Sequence, residues 1–170
     1  MNKIEFLRQL IGQSSATPAS ESLSFSSLSE GVPLGALSEI SGIGKTEFTV
    51  RFLAEHKDLQ AAWLEEDFNL FPGAFYQRQV NLNQLLFIET GQQLFWALQQ
   101  VVCSQLFKIV VAPQKFKNLK DLRKLQLHCE AHNCSLVLLA DQASSAWPIA
   151  LRVQVHKDLV LQQKKRRRAL

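Results

Sequence analysis

The sequence lacks the features that mark secreted, membrane-spanning and disulfide-stapled proteins. Its three cysteines, Cys103, Cys129 and Cys134, form no C-x-x-C pair, and an odd number cannot all pair internally. No stretch reaches about 18 uninterrupted apolar residues, and the first residues carry Glu5 and Arg8 within their apolar pattern. We therefore expect reduced thiols, no signal peptide, no membrane contact and a cytoplasmic location.

Sequence signatures of common enzyme classes are also missing. No paired-carboxylate arrangement, Ser/His/Asp set or G-x-S-x-G elbow is present. His128 and His132 lie four residues apart with Cys129 and Cys134 nearby, which is a spacing that zinc sites use. Cys129, however, belongs to an apolar helical stripe, and His128 is rotated away from that stripe. The sequence therefore predicts no metal site.

The 170 residues are long enough to bury one core without staples. Residues 1–12 predict a helical arm, because Ile4, Leu7 and Ile11 recur at helical spacing. Residues 13–30 contain eight serines and predict a flexible linker, in which a few apolar residues around Phe25 can dock locally. We assign residues 31–163 to one folded domain and residues 164–170 to a basic tail.

Within this domain, short apolar runs alternate with helical patterns. The runs at 36–40, 61–64, 85–88, 108–112 and 135–140 have strand length. Several are almost wholly apolar, as in parallel strands buried on both faces. Amphipathic stripes between them predict helices, with Trp96 and Leu119 in the core. This alternation predicts an α/β fold with a doubly wound, mostly parallel sheet. Residues 151–155 and 159–161 predict a C-terminal hairpin, antiparallel to the other strands.

Basic residues are concentrated in two clusters. Without the cations at 164–168, the chain has 14 Lys+Arg against 15 Asp+Glu, so its net charge is −1 instead of +4. The second cluster surrounds a predicted helix start and comprises Lys115, Lys117, Lys120, Arg123 and Lys124. Either cluster can bind phosphates or an acidic partner, or can simply be a solvated surface. We expect any contact with DNA to be weak or indirect, through the tail.

A candidate phosphate loop follows the first predicted strand of the domain. Gly44-Lys45-Thr46 matches the end of G-x-x-x-x-G-K-[ST], but Glu39 stands where that pattern needs its first glycine. Only Gly42 lies upstream, and a loop three residues shorter has too few amides to wrap a β-phosphate. We therefore favour a tight turn with positive φ at the two glycines over nucleotide binding at Gly42, Gly44, Lys45 and Thr46.

The order of motifs resembles a known superfamily. GVPLGALSEI at 31–40, followed by Gly-Lys-Thr, is similar to the entry into the RecA ATPase core, G-x-P-x-G-x-x-x-E-[IV]. Further on, LLFI, LFWALQQ, KIVVA, LRKLQL and ALRV occur in the order of the ImuA and SulA branches. The resemblance covers roughly residues 31–168 and implies a RecA-like fold.

The resemblance carries over only part of the RecA machinery. Lys45 and Thr46 match the phosphate-loop lysine and the Mg²⁺-binding threonine, and the activating glutamate falls on Asp67, or on Glu66 in a register shifted by one. Ala112 stands where the Walker B pattern places an aspartate. Because phosphoryl transfer depends on positioning and metal electrostatics, we expect no ATPase, no catalytic residues and no cofactor, ATP included.

The loops that line the DNA in RecA are short here. The first is reduced to 113–118, and the second to 143–148, just after Gln142, which matches the glutamine with which RecA senses nucleotide. We therefore expect Glu66, Asp67 and Gln142 to be vestigial, and we do not expect a RecA-type recombinase.

The ImuA resemblance implies a non-catalytic accessory factor of SOS-induced mutagenic translesion DNA synthesis. Its partners would be an ImuB-type protein, a DnaE-type polymerase and RecA. One alternative is a SulA-like inhibitor of cell division that binds FtsZ, and another is a regulator that binds nucleotide at Lys45 without hydrolysis. The candidate partner-binding residues lie in the arm, on one loop and in the tail: Ile4, Leu7, Ile11, Trp147, Lys164, Lys165, Arg166, Arg167 and Arg168.

Overall fold

The computed structural model describes residues 21–157 and the backbone of residues 159–165. The predicted arm 1–12 and the tail residues Arg166, Arg167 and Arg168 lie outside the described residues. The strands are β1 Ser22–Phe25, β2 Leu28–Pro33, β3 Ala36–Ser41, β4 Ala61–Glu65, β5 Leu85–Glu89, β6 Ile109–Pro113, β7 Ser135–Ala140, β8 Ile149–His156 and β9 Leu159–Lys165. The helices are α1 Lys45–Glu55, α2 Pro72–Gln77, α3 Leu94–Cys103 and α4 Leu119–His132, with 3₁₀ turns at Leu82–Gln84 and Gly91–Gln93.

Seven strands form one sheet in the order β5-β4-β6-β7-β3-β8-β9. All neighbouring pairs from β5 to β8 are parallel, and β9 alone pairs antiparallel, with β8. The predicted α/β class, the mostly parallel sheet and the C-terminal hairpin are therefore confirmed. The first strand of the hairpin was predicted to be antiparallel to the other strands, and this is wrong. The chain crosses the sheet after β7, so that β8 runs parallel to β3.

Helices cover both faces of this sheet. On one face, α1 and α2 pack with Trp63 of β4, whose ring lies edge-on to Phe75 with centroids 5.3 Å apart. On the other face, α3 and α4 pack on the alternate strand residues, for example Leu64. Two apolar residues predicted in the core are exposed: Trp96 is 59% exposed and Leu119 is 46% exposed. Trp96 lies off the buried stripe of α3, and Leu119 begins α4.

Part of the predicted linker 13–30 is a β-hairpin. β1 pairs antiparallel with β2, and Phe25 and Leu28 are each 3% exposed. The Phe25 ring packs edge-on against Phe48 of α1, with centroids 4.9 Å apart. In this stretch serines alternate with apolar residues, so one face of the hairpin can bury its side chains. The serine content alone therefore gave the wrong prediction for the end of the linker.

The C-terminal strand includes two residues assigned to the basic tail. In the backbone register, Lys164 pairs with Arg152 and Lys165 pairs with Leu151. The boundary predicted at residue 164 thus falls inside β9. Across the residues that the structure describes, none of the helices is long and apolar enough to cross a membrane.

Candidate functional site

The residues matched to the phosphate loop form a tight turn between β3 and α1. Gly42 and Gly44 have φ of 94° and 96°, as predicted for this turn. The Lys45 amide donates to the Gly42 carbonyl at 3.4 Å, and the Gly42 amide donates to Ala140 at 3.3 Å. These bonds use two of the backbone amides that a phosphate cradle would present.

The same turn is packed against the end of β8. A Cβ added at Gly42 would lie 2.4 Å from the carbonyl oxygen of Val155. The Lys157 amide donates to the Ile43 carbonyl at 3.0 Å. The side chain of Ile43 points outward and is 66% exposed. The C-terminal hairpin therefore holds this turn from one side.

Lys45, the phosphate-loop lysine of the resemblance, is paired within the chain. Its Nζ donates to Oδ1 of Asp141, the first residue after β7. The hydrogen bond from Lys45, together with its charge, lowers the pKa of the Asp141 carboxyl. Residues 42–47 and Asp141 line an open depression at the carboxyl end of the sheet. The ammonium group thus already has a carboxylate partner where a phosphate would sit.

A second ion pair joins the loops after β4 and β6. The Lys115 ammonium donates to Oε2 of Glu66, one of the two residues matched to the activating glutamate. The hydrogen bond to Glu66 is the main cause that raises the pKa of Lys115; desolvation opposes it, and the nearby carboxylates add to it. Asp67, the other match, is exposed. Ala112 is fully buried and presents no carboxylate at the end of β6.

The connection from β7 to β8 crosses the sheet without a helix. β7 and β8 flank β3, so residues 141–148, which we call the strap, pass over β3. Parallel strands ordinarily need a connection of about a dozen residues or more. Glu39 of β3, which is 1% exposed, accepts two hydrogen bonds from the strap. The Ser144 amide and hydroxyl each donate to its carboxylate at 2.7 Å.

Arg152 of β8 holds the same strap from the next strand. It lies opposite Glu39 in the β3–β8 register. Its Nε donates to the Ser144 carbonyl at 2.7 Å, and another guanidinium nitrogen donates to the Ala146 carbonyl. A charged side chain from each of two neighbouring strands therefore fixes the strap, which is the segment that matches the second DNA loop of RecA.

Trp147 lies on the strap, on a loop as predicted, and is 45% exposed. The Arg123 guanidinium carbon lies 5.3 Å from the centre of its ring, which is a cation–π distance. Lys124 lies 5.8 Å from the ring of Phe95, and Lys115 is paired with Glu66. Three members of the predicted basic cluster, Lys115, Arg123 and Lys124, thus have partners within the chain.

Gln142, which matches the glutamine with which RecA senses nucleotide, is exposed at the start of the strap.

The sequence does not reveal the partners of these charged residues. The sequence predicts that Lys45 is a remnant of an ATPase or, in one alternative, a nucleotide ligand, and that Glu66 is vestigial. In the structure, Asp141 and Lys115 reach them from distant loops. The sequence places Glu39 both in the G-x-P-x-G-x-x-x-E-[IV] pattern and at the position of the missing glycine, but it does not reveal the contact of Glu39 with the strap. A carboxylate within a strand expected to be buried was a usable signal, because such a group needs a hydrogen-bonding partner.

Comparisons with known proteins agree with this architecture. No family model and no curated protein matches the sequence. Solved structures do match, among them the crystal structure of the RadB recombinase, at a TM-score of 0.57 and 15% identity. The match covers 78% of this chain and 80% of the RadB chain. The chain is therefore an α/β protein with a RecA-like fold; at this identity the likeness shows the fold alone.

Proposed function

We propose that this protein is a non-catalytic, ImuA-like accessory factor of SOS-induced mutagenic translesion synthesis, which uses its RecA-like fold to bind other proteins. The observation that carries the proposal is the pairing of Lys45 with Asp141 on a turn too short for a phosphate cradle. The pairing of Glu66 with Lys115 adds support. Together these pairs place intramolecular partners on the side chains that would otherwise meet ATP and its attacking water.

The short connections support a binding role rather than recombination. The loop after β6 is confined to residues 114–118, and the strap is fixed by Glu39 and Arg152. Neither connection has the length to line a DNA strand inside a filament. The proposed partners are an ImuB-type protein, a DnaE-type polymerase and RecA, and the proposed binding elements are the arm, Trp147 and the basic tail.

The proposed lack of ATP hydrolysis gives the first prediction. Phosphate release from ATP and Mg²⁺ by the purified protein should equal that of Lys45→Ala, because neither the cradle nor a metal-side carboxylate is in place. Lys57→Ala, a change at an exposed lysine away from the turn, is the matched control. Phosphate release that Lys45→Ala abolishes and Lys57→Ala preserves would contradict the proposal.

The same variants test the nucleotide-regulator alternative. Calorimetry with ATP and Mg²⁺ should show no binding heat in the unmodified protein, since Asp141 neutralises Lys45. Heat that disappears in Lys45→Ala would favour a regulator that binds nucleotide without hydrolysis.

Cellular phenotypes give the second prediction and separate the two protein-binding readings. Overproduction should leave cell length unchanged, while deletion of the gene should lower damage-induced mutation. Loss of the arm, residues 1–12, should reproduce the deletion if the arm docks on a partner. Filamentous cells on overproduction, with unchanged mutation frequency, would instead indicate the SulA-like alternative, in which the chain binds FtsZ.

A further inference from the structure

Helices α3 and α4 bring one thiol and two imidazoles together at their carboxyl ends. Cys103 is the last residue of α3, and His128 and His132 lie one turn apart on α4. The Cys103 Sγ is 3.3 Å from Nδ1 of His128. One ligand atom from each of the three residues lies within 4.8 Å of the others, and all three side chains are half-buried.

We propose that Cys103, His128 and His132 bind a zinc ion, which ties the end of α3 to the last turn of α4. In a tetrahedral zinc site with Zn–S near 2.3 Å and Zn–N near 2.0 Å, ligand atoms are about 3.3–3.6 Å apart. The contact between Cys103 and His128 already has this spacing. Small side-chain rotations bring the third ligand atom from within 4.8 Å to the same range.

The ligand types favour zinc over the other common divalent ions. Thiolate and imidazole suit Zn²⁺, whereas Mg²⁺ and Ca²⁺ prefer oxygen ligands. The cluster offers one sulfur and two nitrogens, and its partial exposure leaves a fourth position for water. Cys129 and Cys134 are the thiols nearest in sequence to His128 and His132, and both are fully buried in the core. The thiol that completes the set therefore comes from another helix, which the sequence spacing did not reveal.

Gln99 is placed to orient the first imidazole. Its side-chain amide nitrogen lies 3.3 Å from Nε2 of His128, on the far side of the ring from Cys103. The oxygen and nitrogen of the Gln99 amide exchange places when the group rotates by 180°. In that orientation the Gln99 oxygen can accept the Nε2 proton of His128. The lone pair then resides on Nδ1, which faces the thiol. An outer partner of this kind is the usual means of fixing a metal-binding histidine.

Titration of the full-length protein, made without a histidine tag, tests the site. Zn²⁺ should bind at one equivalent in competition with a chromophoric chelator. Co²⁺ in place of Zn²⁺ should give a thiolate-to-metal charge-transfer band in the near ultraviolet. A hundredfold excess of free Zn²⁺ over its Kd should raise the unfolding midpoint by about 5–10 °C.

Substitutions assign the ligands. Cys103→Ser and His132→Gln should each weaken Zn²⁺ binding by at least about a hundredfold, and Gln99→Ala by about tenfold. His156→Gln is the matched control, because His156 is exposed on β8 and outside the cluster. Its affinity should equal that of the unmodified protein.

Two results would overturn the proposal. One is a Cys103→Ser variant that binds Zn²⁺ as tightly as His156→Gln. The other is the absence of the charge-transfer band when the unmodified protein is saturated with Co²⁺. The second measurement decides the question even if a ligand variant fails to fold.

Discussion

Replacing Glu39 with leucine should lower the free energy of unfolding by about 3 kcal/mol, from the loss of two hydrogen bonds to a buried charge at roughly 1.5 kcal/mol or more each. Leucine can occupy the volume, but the Ser144 amide and hydroxyl, each 2.7 Å from the carboxylate, then lose their acceptor. The strap that crosses β3 has no helix of its own to satisfy these groups. Urea unfolding followed by circular dichroism measures the change.

The chain supplies a matched control for this substitution. The exposed carboxylate of Glu55 also accepts from the amide and the hydroxyl of one serine, Ser26, with the amide nitrogen at 2.9 Å. Because water can replace an exposed carboxylate, Glu55→Leu should cost less than about 1 kcal/mol. If Glu39→Leu and Glu55→Leu lower the free energy of unfolding equally, the burial of Glu39 under the strap contributes nothing to stability. Ser144→Ala, which removes the hydroxyl alone, should fall between them.

The strap links stability to the proposed binding surface. Trp147 lies three residues after Ser144, and its ring contacts Arg123 of α4. Loss of the Glu39 anchor should therefore also change the environment of this indole. The proposed function needs Trp147 in a fixed position, because a preorganised aromatic anchor binds a partner with less loss of conformational freedom.

The regular part of the fold was predictable because its signals are local. The five apolar runs correspond to β3, β4, β5, β6 and β7, with ends that differ by no more than one residue. The buried strands read as continuous apolar segments since both faces are covered by helices. The alternation in β8 was also visible, as its residues are alternately buried and more exposed.

The direction of β8 and the end of the linker were not predictable in the same way. The alternation in β8 reports exposure on one face and carries no information on direction, which is set by the strap's passage over β3. In β1 and β2, serine content suggested a linker, while the burial of Phe25 against Phe48 decides the structure. Burial of an aromatic pair outweighs a weak local preference.

The candidate site was predictable at the turn and in the placement of Trp147 on a loop. The glycine spacing correctly indicated a tight turn at Gly42 and Gly44. The ion pairs join residues 96 and 49 positions apart in the chain. The approach of Cys103 to His128 spans 25 positions. Such contacts depend on the order of strands and helices in space, which no local pattern in the sequence encodes.

A large backbone effect is expected at Gly42, in the turn between β3 and α1. Its φ of 94° is unfavourable for any residue with a Cβ, and an added Cβ would lie 2.4 Å from the Val155 carbonyl oxygen. A left-handed conformation costs about 1–2 kcal/mol, and overpacking adds about 1–3 kcal/mol. Gly42→Ala should therefore lower the free energy of unfolding by about 3 kcal/mol, as measured by urea unfolding.

Gly91→Ala separates the two contributions. Gly91 also has a positive φ, of 54°, but nothing lies within 4 Å of its added Cβ. Its substitution should cost only about 1 kcal/mol, from the backbone conformation alone. If Gly42→Ala costs no more than Gly91→Ala, the turn is not packed on β8. If Gly42 served to let a phosphate approach the backbone, Gly42→Ala would lower nucleotide affinity with little loss of stability. If the C-terminal hairpin holds the turn, Gly42→Ala lowers the free energy of unfolding instead. We expect the second outcome.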